Sequence, residues 1–231
     1  MMINVKMLII NILCTISSLF FITILHAQND SLKYDFSFQF QDGIYLEYSN
    51  FKDNKPININ KIISPNGNEN DFFDKLNDAK IISFYDDKGI FTEINKSKIW
   101  GYSKNGRPYI YWANKFNFIP TIGSISHFVS NVSVYHTNSY YDPFYYGYGY
   151  NNYGNYQPRT YKTEELQQFL IDFETGKVVS ANVKNVETII SRLPELQKEF
   201  SKLGKRQKTK KMFEYIRRYN EQMPIFFPIS Q

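Results

Sequence analysis

The chain has 231 residues and a formal net charge of +5, and its one cysteine, Cys14, lies near the N-terminus. We predict that this end is removed, which excludes disulfides, a cysteine nucleophile and cysteine metal ligands from the mature protein. The 204 residues that remain (231 minus 27) can bury about 70% of their unfolded surface, so one domain, residues 28–231, is expected to hold a hydrophobic core.

Residues 1–27 have the features of a secretory signal peptide. Lys6 supplies a positive charge, residues 7–25 are mostly apolar, and Ala27 is a small residue at a suitable cleavage point. The alternative is an uncleaved membrane anchor, since 19 mostly apolar residues can just span a bilayer. Polar residues within the stretch favour cleavage, and therefore an exported protein that is periplasmic, associated with the outer membrane or secreted.

The mature chain starts with short runs in which apolar and polar residues alternate, the pattern of half-buried β-strands. Turn residues separate these runs, for example Asp42-Gly43 and the Asp86-Asp87-Lys88-Gly89 segment of a predicted hairpin. In chain order, strands are predicted at residues 30–41, 44–48, 57–63, 81–85, 90–94, 99–112 with a central turn, 116–122 and 127–135. Short spacing and tight turns favour an antiparallel β-meander.

The clearest hairpin is IWGYSKNGRPYIYW, residues 99–112. Asn105 and Gly106 both tolerate the positive φ that a two-residue type I′ turn requires. This turn places Lys104 opposite Arg107 and, further along, Tyr102 opposite Tyr109. The same register predicts one sheet face with Trp100, Tyr102, Tyr109 and Tyr111, and another with Ile99, Ile110 and Trp112.

Residues 138–157, NSYYDPFYYGYGYNNYGNYQ, form a low-complexity stretch that we call the tyrosine segment. Eight of its twenty residues are tyrosine, and none is Leu, Ile or Val. We predict a long loop or hairpin tip between two strands, because strand patterns resume at residues 166–173 and 178–181. Tyrosine combines a flat apolar face with a hydroxyl, so the candidate binding residues are Tyr140, Tyr141, Tyr145, Tyr146, Tyr148, Tyr150, Tyr153 and Tyr156. A variable insertion without a ligand is the alternative.

From residue 183 the hydrophobic period changes from 2 to 3.6, which predicts two or three helices in a segment bounded by residues 182–222. Their apolar faces are Val183, Val186, Ile189, Ile190 and Leu193, then Leu196, Phe200 and Leu203, then Met212, Phe213, Ile216 and Tyr219. The predicted fold class is therefore α+β: a twisted antiparallel β-meander, open or barrel-like, packed by two or three C-terminal helices.

The helical segment also carries the basic excess of the chain. Residues 192–221 hold ten basic and four acidic residues, a net charge of +6. A solvated helix surface is the ordinary explanation. The functional explanation is an anionic lipid or glycolipid of the envelope, with Lys208, Lys210 and Lys211 as candidate contacts. Nucleic acid is not expected as a partner of an exported protein.

Four stretches, DGIYLEYSNFKDNKP, WGYSKNGRPYIYW, FLIDFETGKVV and FEYIRRYNEQMPIFFP, together with the signal peptide, carry a resemblance to a known group. In these stretches the chain resembles a family of uncharacterised small exported proteins of Bacteroidota. The resemblance spans most of residues 42–228 apart from the tyrosine segment. It implies export, and it implies no activity, cofactor or catalytic residue.

Patterns that carry catalysis are scarce in the mature chain. On one continuous strand, His127 and His136 would lie on opposite faces, and no metal site or cofactor is predicted. The adjacent acids Asp86-Asp87 and Glu164-Glu165 are better explained as turn and strand-flank residues that are exposed to water.

The sequence thus favours a non-enzymatic, exported binding module of the cell envelope, with a glycan or a protein as partner of the tyrosine segment. The alternative is an envelope hydrolase, because a glycosidase-like pair of carboxylates needs only closeness in space and leaves no spacing signal.

Overall fold

The computed structural model describes residues 31–63, 69–86, 88–139 and 158–228, so the predicted signal peptide lies outside the described residues. The described residues form thirteen strands: β1 (Ser31–Lys33), β2 (Gly43–Tyr45), β3 (Ile57–Asn58), β4 (Ile62–Ile63), β5 (Ile81–Tyr85), β6 (Phe91–Asn95), β7 (Gly101–Lys104), β8 (Arg107–Trp112), β9 (Lys115–Phe118), β10 (Ile125–Ser139), β11 (Pro158–Asp172), β12 (Val178–Ser180) and β13 (Phe226–Pro228). They also form five α-helices: α1 (Tyr48–Lys52), α2 (Glu69–Lys75), α3 (Val183–Ile190), α4 (Pro194–Ser201) and α5 (Lys205–Gln222).

All strand pairs are antiparallel, and the three longest helices are consecutive in the C-terminal part, which confirms the α+β class. The meander is divided over separate open sheets. Their strand orders are β3-β2-β7-β8-β9, β4-β5-β6, β10-β11-β12 and β1-β13. Within the described part of the chain, no helix has both the length and the apolarity of a membrane span.

The central hairpin has the predicted register. Tyr102 lies opposite Tyr109, and Lys104 lies opposite Arg107. Asn105 (φ 53°) and Gly106 (φ 70°) form the type I′ turn. The Asp42 carboxylate accepts both backbone N–H groups of the turn, at 2.8 Å from Asn105 and 3.0 Å from Gly106. This contact anchors the hairpin tip to the residue that precedes β2.

The predicted faces of the hairpin are wrong at its start. Trp100 precedes β7 and packs with Ile110 and Trp112, whereas Ile99 packs with Tyr102. The N–H of Trp100 donates to two successive carbonyl oxygens of the β2 end, those of Tyr45 and Leu46, both at 3.0 Å. The regular alternation therefore begins only at Gly101, and Trp100 lies on the opposite face from Tyr102.

The predicted first strand is also largely wrong. Only β1 forms, and it pairs with β13 at the other end of the chain. A turn follows at Phe36, since the Asp35 carboxylate accepts the Ser37 N–H at 2.8 Å and the Ser37 hydroxyl at 2.6 Å. A regular strand would place Phe36 and Phe40 on the same face, but Phe36 is 99% exposed while Phe40 is 4% exposed.

Strands β10 and β11 form one long ribbon, paired from Ile125 with Asp172 to Ser139 with Pro158. Its outer half, residues 131–137 and 160–166, contains no buried residue. In the chain, residues 140–157 lie between Ser139 of β10 and Pro158 of β11. The eight tyrosines themselves lie outside the described residues.

The helices pack where the periodicity places them. Asn182 is the N-cap of α3, since its side chain accepts the Asn185 N–H, and Pro194 opens α4. Their apolar faces cover Ile125 of β10 and Leu170 of β11 in one core cluster with Val186, Ile189, Ile190, Leu196, Phe200, Tyr215, Ile216 and Tyr219.

We expect Gly106→Ala to destabilise the fold by about 1–2 kcal/mol, the cost of a left-handed conformation for a residue with a Cβ. Gly204→Ser is the matched control, because φ at this N-cap of α5 is −65°, an added Cβ meets nothing within 4 Å, and serine is favoured at an N-cap. Urea unfolding of both variants measures the difference. Equal stability of the two variants would contradict the role of the turn.

Candidate functional site

The predicted basic contacts lie on α5, and the Lys208 side chain is held by contacts within the protein. Its ammonium is 2.6 Å from the Glu187 carboxylate of α3 and lies 5.7 Å from the centre of the Phe200 ring. The side chain is only 17% exposed. Lys208 therefore joins two helices, and its charge is largely compensated where it stands.

Lys210 and Lys211 are exposed on the same helix. The Lys211 ammonium is 4.0 Å from the Glu214 carboxylate, one turn further along. Among the residues that the structure describes, Lys210 has no ion-pair partner within 4 Å. The candidate surface for an anionic partner is thus carried by these two lysines rather than by all three.

The two histidines lie on β10 with separate partners. The ring of His127 is 3.0 Å from the Gln168 amide oxygen and 5.0 Å from the Phe213 ring, and burial lowers its pKa. His136 is 2.9 Å from the Thr163 hydroxyl. Across the described ranges, no three His, Cys, Asp or Glu side chains are grouped as metal ligands.

The adjacent acids have local roles. The Asp86 carboxylate accepts the N–H groups of Lys88 and Ile90, both at 2.8 Å, within its hairpin turn. Asp87 lies outside the described residues. On β11, Glu165 is 3.2 Å from His136, while Glu164 is exposed. These positions are those of turn and strand residues.

A cleft of about 540 Å³ opens beside the central hairpin, and we call it the aromatic cleft. Four half-buried rings line it: Tyr48, Trp100, Tyr111 and Trp112. They come from α1, from the residue before β7 and from the end of β8. Aliphatic side chains and Gly176 complete the walls, and Glu47, Ser97 and Lys98 supply the polar groups.

The rings are held by packing behind the cleft. Trp100 stacks on Phe51 with centroids 4.3 Å apart. The Trp112 ring lies 5.5 Å from Phe169 of β11. The Tyr48 hydroxyl donates to the Phe173 carbonyl oxygen at 2.6 Å, and burial raises its pKa. The cleft is therefore a preformed surface with aromatic rings in fixed positions.

Each polar group is close in sequence to an aromatic residue of the cleft: Glu47 precedes Tyr48, and Ser97 and Lys98 lie shortly before Trp100. Lys98 follows Ser97 in a short helical turn that is capped by Asn95, whose side chain accepts the Ser97 N–H at 2.9 Å. Glu47 precedes α1, and its backbone N–H donates to the Asn50 side chain at 3.0 Å. Both charged side chains are exposed, and in the described part of the chain Lys98 forms no ion pair.

Sequence reasoning missed this cleft although it identified the hairpin that provides most of it. Tyr48 and Gly176 are remote in sequence from the hairpin, and Trp100 was expected on the other face. The one available signal was Gly101, because a glycine within a strand often marks an irregularity in pairing.

A second, smaller cleft of about 320 Å³ contains two acids, Asp172 and Glu174, beside Arg192. The Arg192 guanidinium forms two hydrogen bonds to Asp172, at 2.6 and 3.0 Å, and lies 3.3 Å from Glu174. Burial raises the pKa of Asp172, but the hydrogen bonds and charge of Arg192 outweigh it and hold the pKa below its usual range. An acid held in its ionised form does not suit the proton donor of a glycosidase.

Comparisons of the chain with protein-family models, with curated proteins and with solved structures find no match.

We expect Asp172→Asn to lower the stability at neutral pH by about 2 kcal/mol, the scale of a hydrogen bond to a charged group. Because the folded-state pKa of Asp172 is lowered, this stabilisation is complete above about pH 3.9, the unfolded value, and is lost as the pH falls toward the folded value. Urea unfolding between pH 7 and pH 3 tests this. Glu174→Gln, at a side chain that is 71% exposed, is the control and should change little.

Proposed function

We propose that the protein is an exported, non-enzymatic binding module of the cell envelope, and that the aromatic cleft is its main binding site. The observation that carries the proposal is the set of four half-buried aromatic residues, Tyr48, Trp100, Tyr111 and Trp112, that line one open cleft. Export is supported by the signal peptide features of residues 1–27.

Half-buried tyrosine and tryptophan rings are typical of recognition surfaces. They offer a large apolar contact with few torsions to fix on binding, and a polar group at the edge. Within the described residues that line the cleft, Glu47 is the one acidic side chain. The chemistry at hand is thus suited to holding a partner by stacking and hydrogen bonds.

Two further surfaces support attachment to the envelope. Residues 140–157 follow β10 and precede β11 in the chain, and we propose their tyrosines as a second contact, with a glycan or a protein. Lys210 and Lys211 on α5 offer positive charge to an anionic lipid or glycolipid.

We expect Trp112→Ala and Tyr111→Ala to weaken retention of the mature protein by its own envelope fraction at least tenfold, because each removes one wall of the cleft. Tyr109→Ala is the matched control. Tyr109 is also half-buried, lies on the same strand and stacks on Tyr102 at 4.6 Å, but it does not line the cleft.

Retention is measured by co-sedimentation, and the melting temperature of each variant corrects for loss of fold. Deletion of residues 140–156 distinguishes the contribution of the tyrosine segment to retention from that of the aromatic cleft. If that deletion abolishes retention while Trp112→Ala leaves it unchanged, the main contact is the tyrosine segment and the assignment of the cleft is wrong.

For the helix, we expect Lys210→Ala with Lys211→Ala to weaken binding to vesicles containing anionic lipid about 30-fold at low ionic strength, at about 1 kcal/mol per lysine near a charged surface. The effect should vanish at high salt because of screening. Lys88→Ala with Lys184→Ala removes the same charge from exposed positions elsewhere and should bind like the parent. Equal binding by both pairs would reject a role for α5.

A further inference from the structure

We propose that the occupant of the aromatic cleft is an oligosaccharide, with sugar rings stacked on Trp100 and Trp112, which share one face of the hairpin, and hydroxyl groups held by Lys98 and Glu47. This inference rests on the proposed binding role of the cleft and names the class of ligand. It follows from how apolar and polar groups are distributed around the cleft.

The rings match the apolar faces of sugars. A pyranose presents C–H groups on its faces and hydroxyls around its edge, so it packs a face on an aromatic ring while its edge remains polar. Trp100 and Trp112 are held from behind by Phe51 and Phe169, at 4.3 and 5.5 Å. The stacking surfaces therefore exist before the ligand arrives, which limits the entropy lost on binding.

The polar groups need a ligand that both donates and accepts hydrogen bonds. The Lys98 ammonium only donates, the Glu47 carboxylate only accepts, and the Ser97 hydroxyl does both. A sugar hydroxyl can satisfy each of these groups. A proline-rich peptide, the other common occupant of aromatic grooves, offers carbonyl oxygens to Lys98 but few N–H donors to Glu47.

The shape favours part of a longer chain. The cleft is open to solvent, with its rings half-buried rather than enclosed, so a saccharide can extend past its ends. An open cleft of this kind binds one or two sugar rings within a longer polymer. This mode of binding suits a protein that attaches to an envelope glycan.

The two tryptophans provide a reporter for this site. They are the only tryptophans of the chain, and both line the cleft, so a sugar stacked there should change the intrinsic emission of the protein. The experiment titrates the mature protein with neutral, acidic and N-acetylated hexasaccharides and with decaproline, following tryptophan fluorescence and, independently, calorimetry.

At least one hexasaccharide is expected to bind with a change in emission, and decaproline is not. Lys98→Gln and Glu47→Gln should each weaken that binding about tenfold, the loss of one hydrogen bond to a charged group. Both positions are exposed, so the fold should survive. Lys184→Gln, another exposed lysine, is the matched control and should leave the affinity unchanged.

If none of the hexasaccharides binds at millimolar concentration, or decaproline binds instead, the assignment to saccharides is overturned. The binding role of the cleft stands in that case as long as envelope retention still depends on Trp112. Saccharide binding that is indifferent to Lys98, Glu47 and Trp112 would also overturn the inference, because the sugar would then bind elsewhere.

Discussion

The turn at Asn105 and Gly106 is the constraint on which the largest sheet depends. Both residues have positive φ, and the Asp42 carboxylate accepts both of their N–H groups. Asp42 immediately precedes β2, so the same contact that stabilises the turn also aligns β2 beside the hairpin. A slip of one residue would exchange the faces of every side chain in β7 and β8. The stack of the buried Tyr102 on the half-buried Tyr109 depends on this register.

The aromatic cleft arises where this regular pattern ends. Gly101 approaches the neighbouring strand so closely that a Cβ there would lie 2.1 Å from the Tyr109 carbonyl oxygen. One residue earlier, the Trp100 N–H is shared between two carbonyl oxygens, and the side chain moves to the face of Ile110 and Trp112. That irregularity brings both tryptophans of the chain to one cleft. A perfectly alternating strand would have placed Trp100 beside Tyr102 instead.

Local patterns predicted the parts of the fold that local physics determines. The type I′ turn needs two adjacent residues that tolerate positive φ, and the C-terminal helices show a period of 3.6 over many residues, so both were predictable. The first strand was not, because the Asp35 carboxylate competes for backbone donors and bends the chain. The cleft could not be predicted either, since Tyr48 is positioned by a hydrogen bond to the carbonyl of Phe173, 125 residues away.

The basic composition of the C-terminal segment illustrates how a charge count can mislead about function. Arg192 binds Asp172 of β11, Lys208 binds Glu187 of α3, and Arg218 binds Glu199 of α4, each with a nitrogen to oxygen distance of 2.6 Å. All three cations lie partly sheltered from solvent and join one element to another. Much of the positive charge therefore holds the helices to each other and to the long ribbon, and less of it is free for a partner than the net charge of +6 implies. The rings of the aromatic cleft differ in this respect, because they are supported from behind and keep an accessible face. We therefore propose the cleft as the main binding site, with the remaining lysines of α5 as an auxiliary contact.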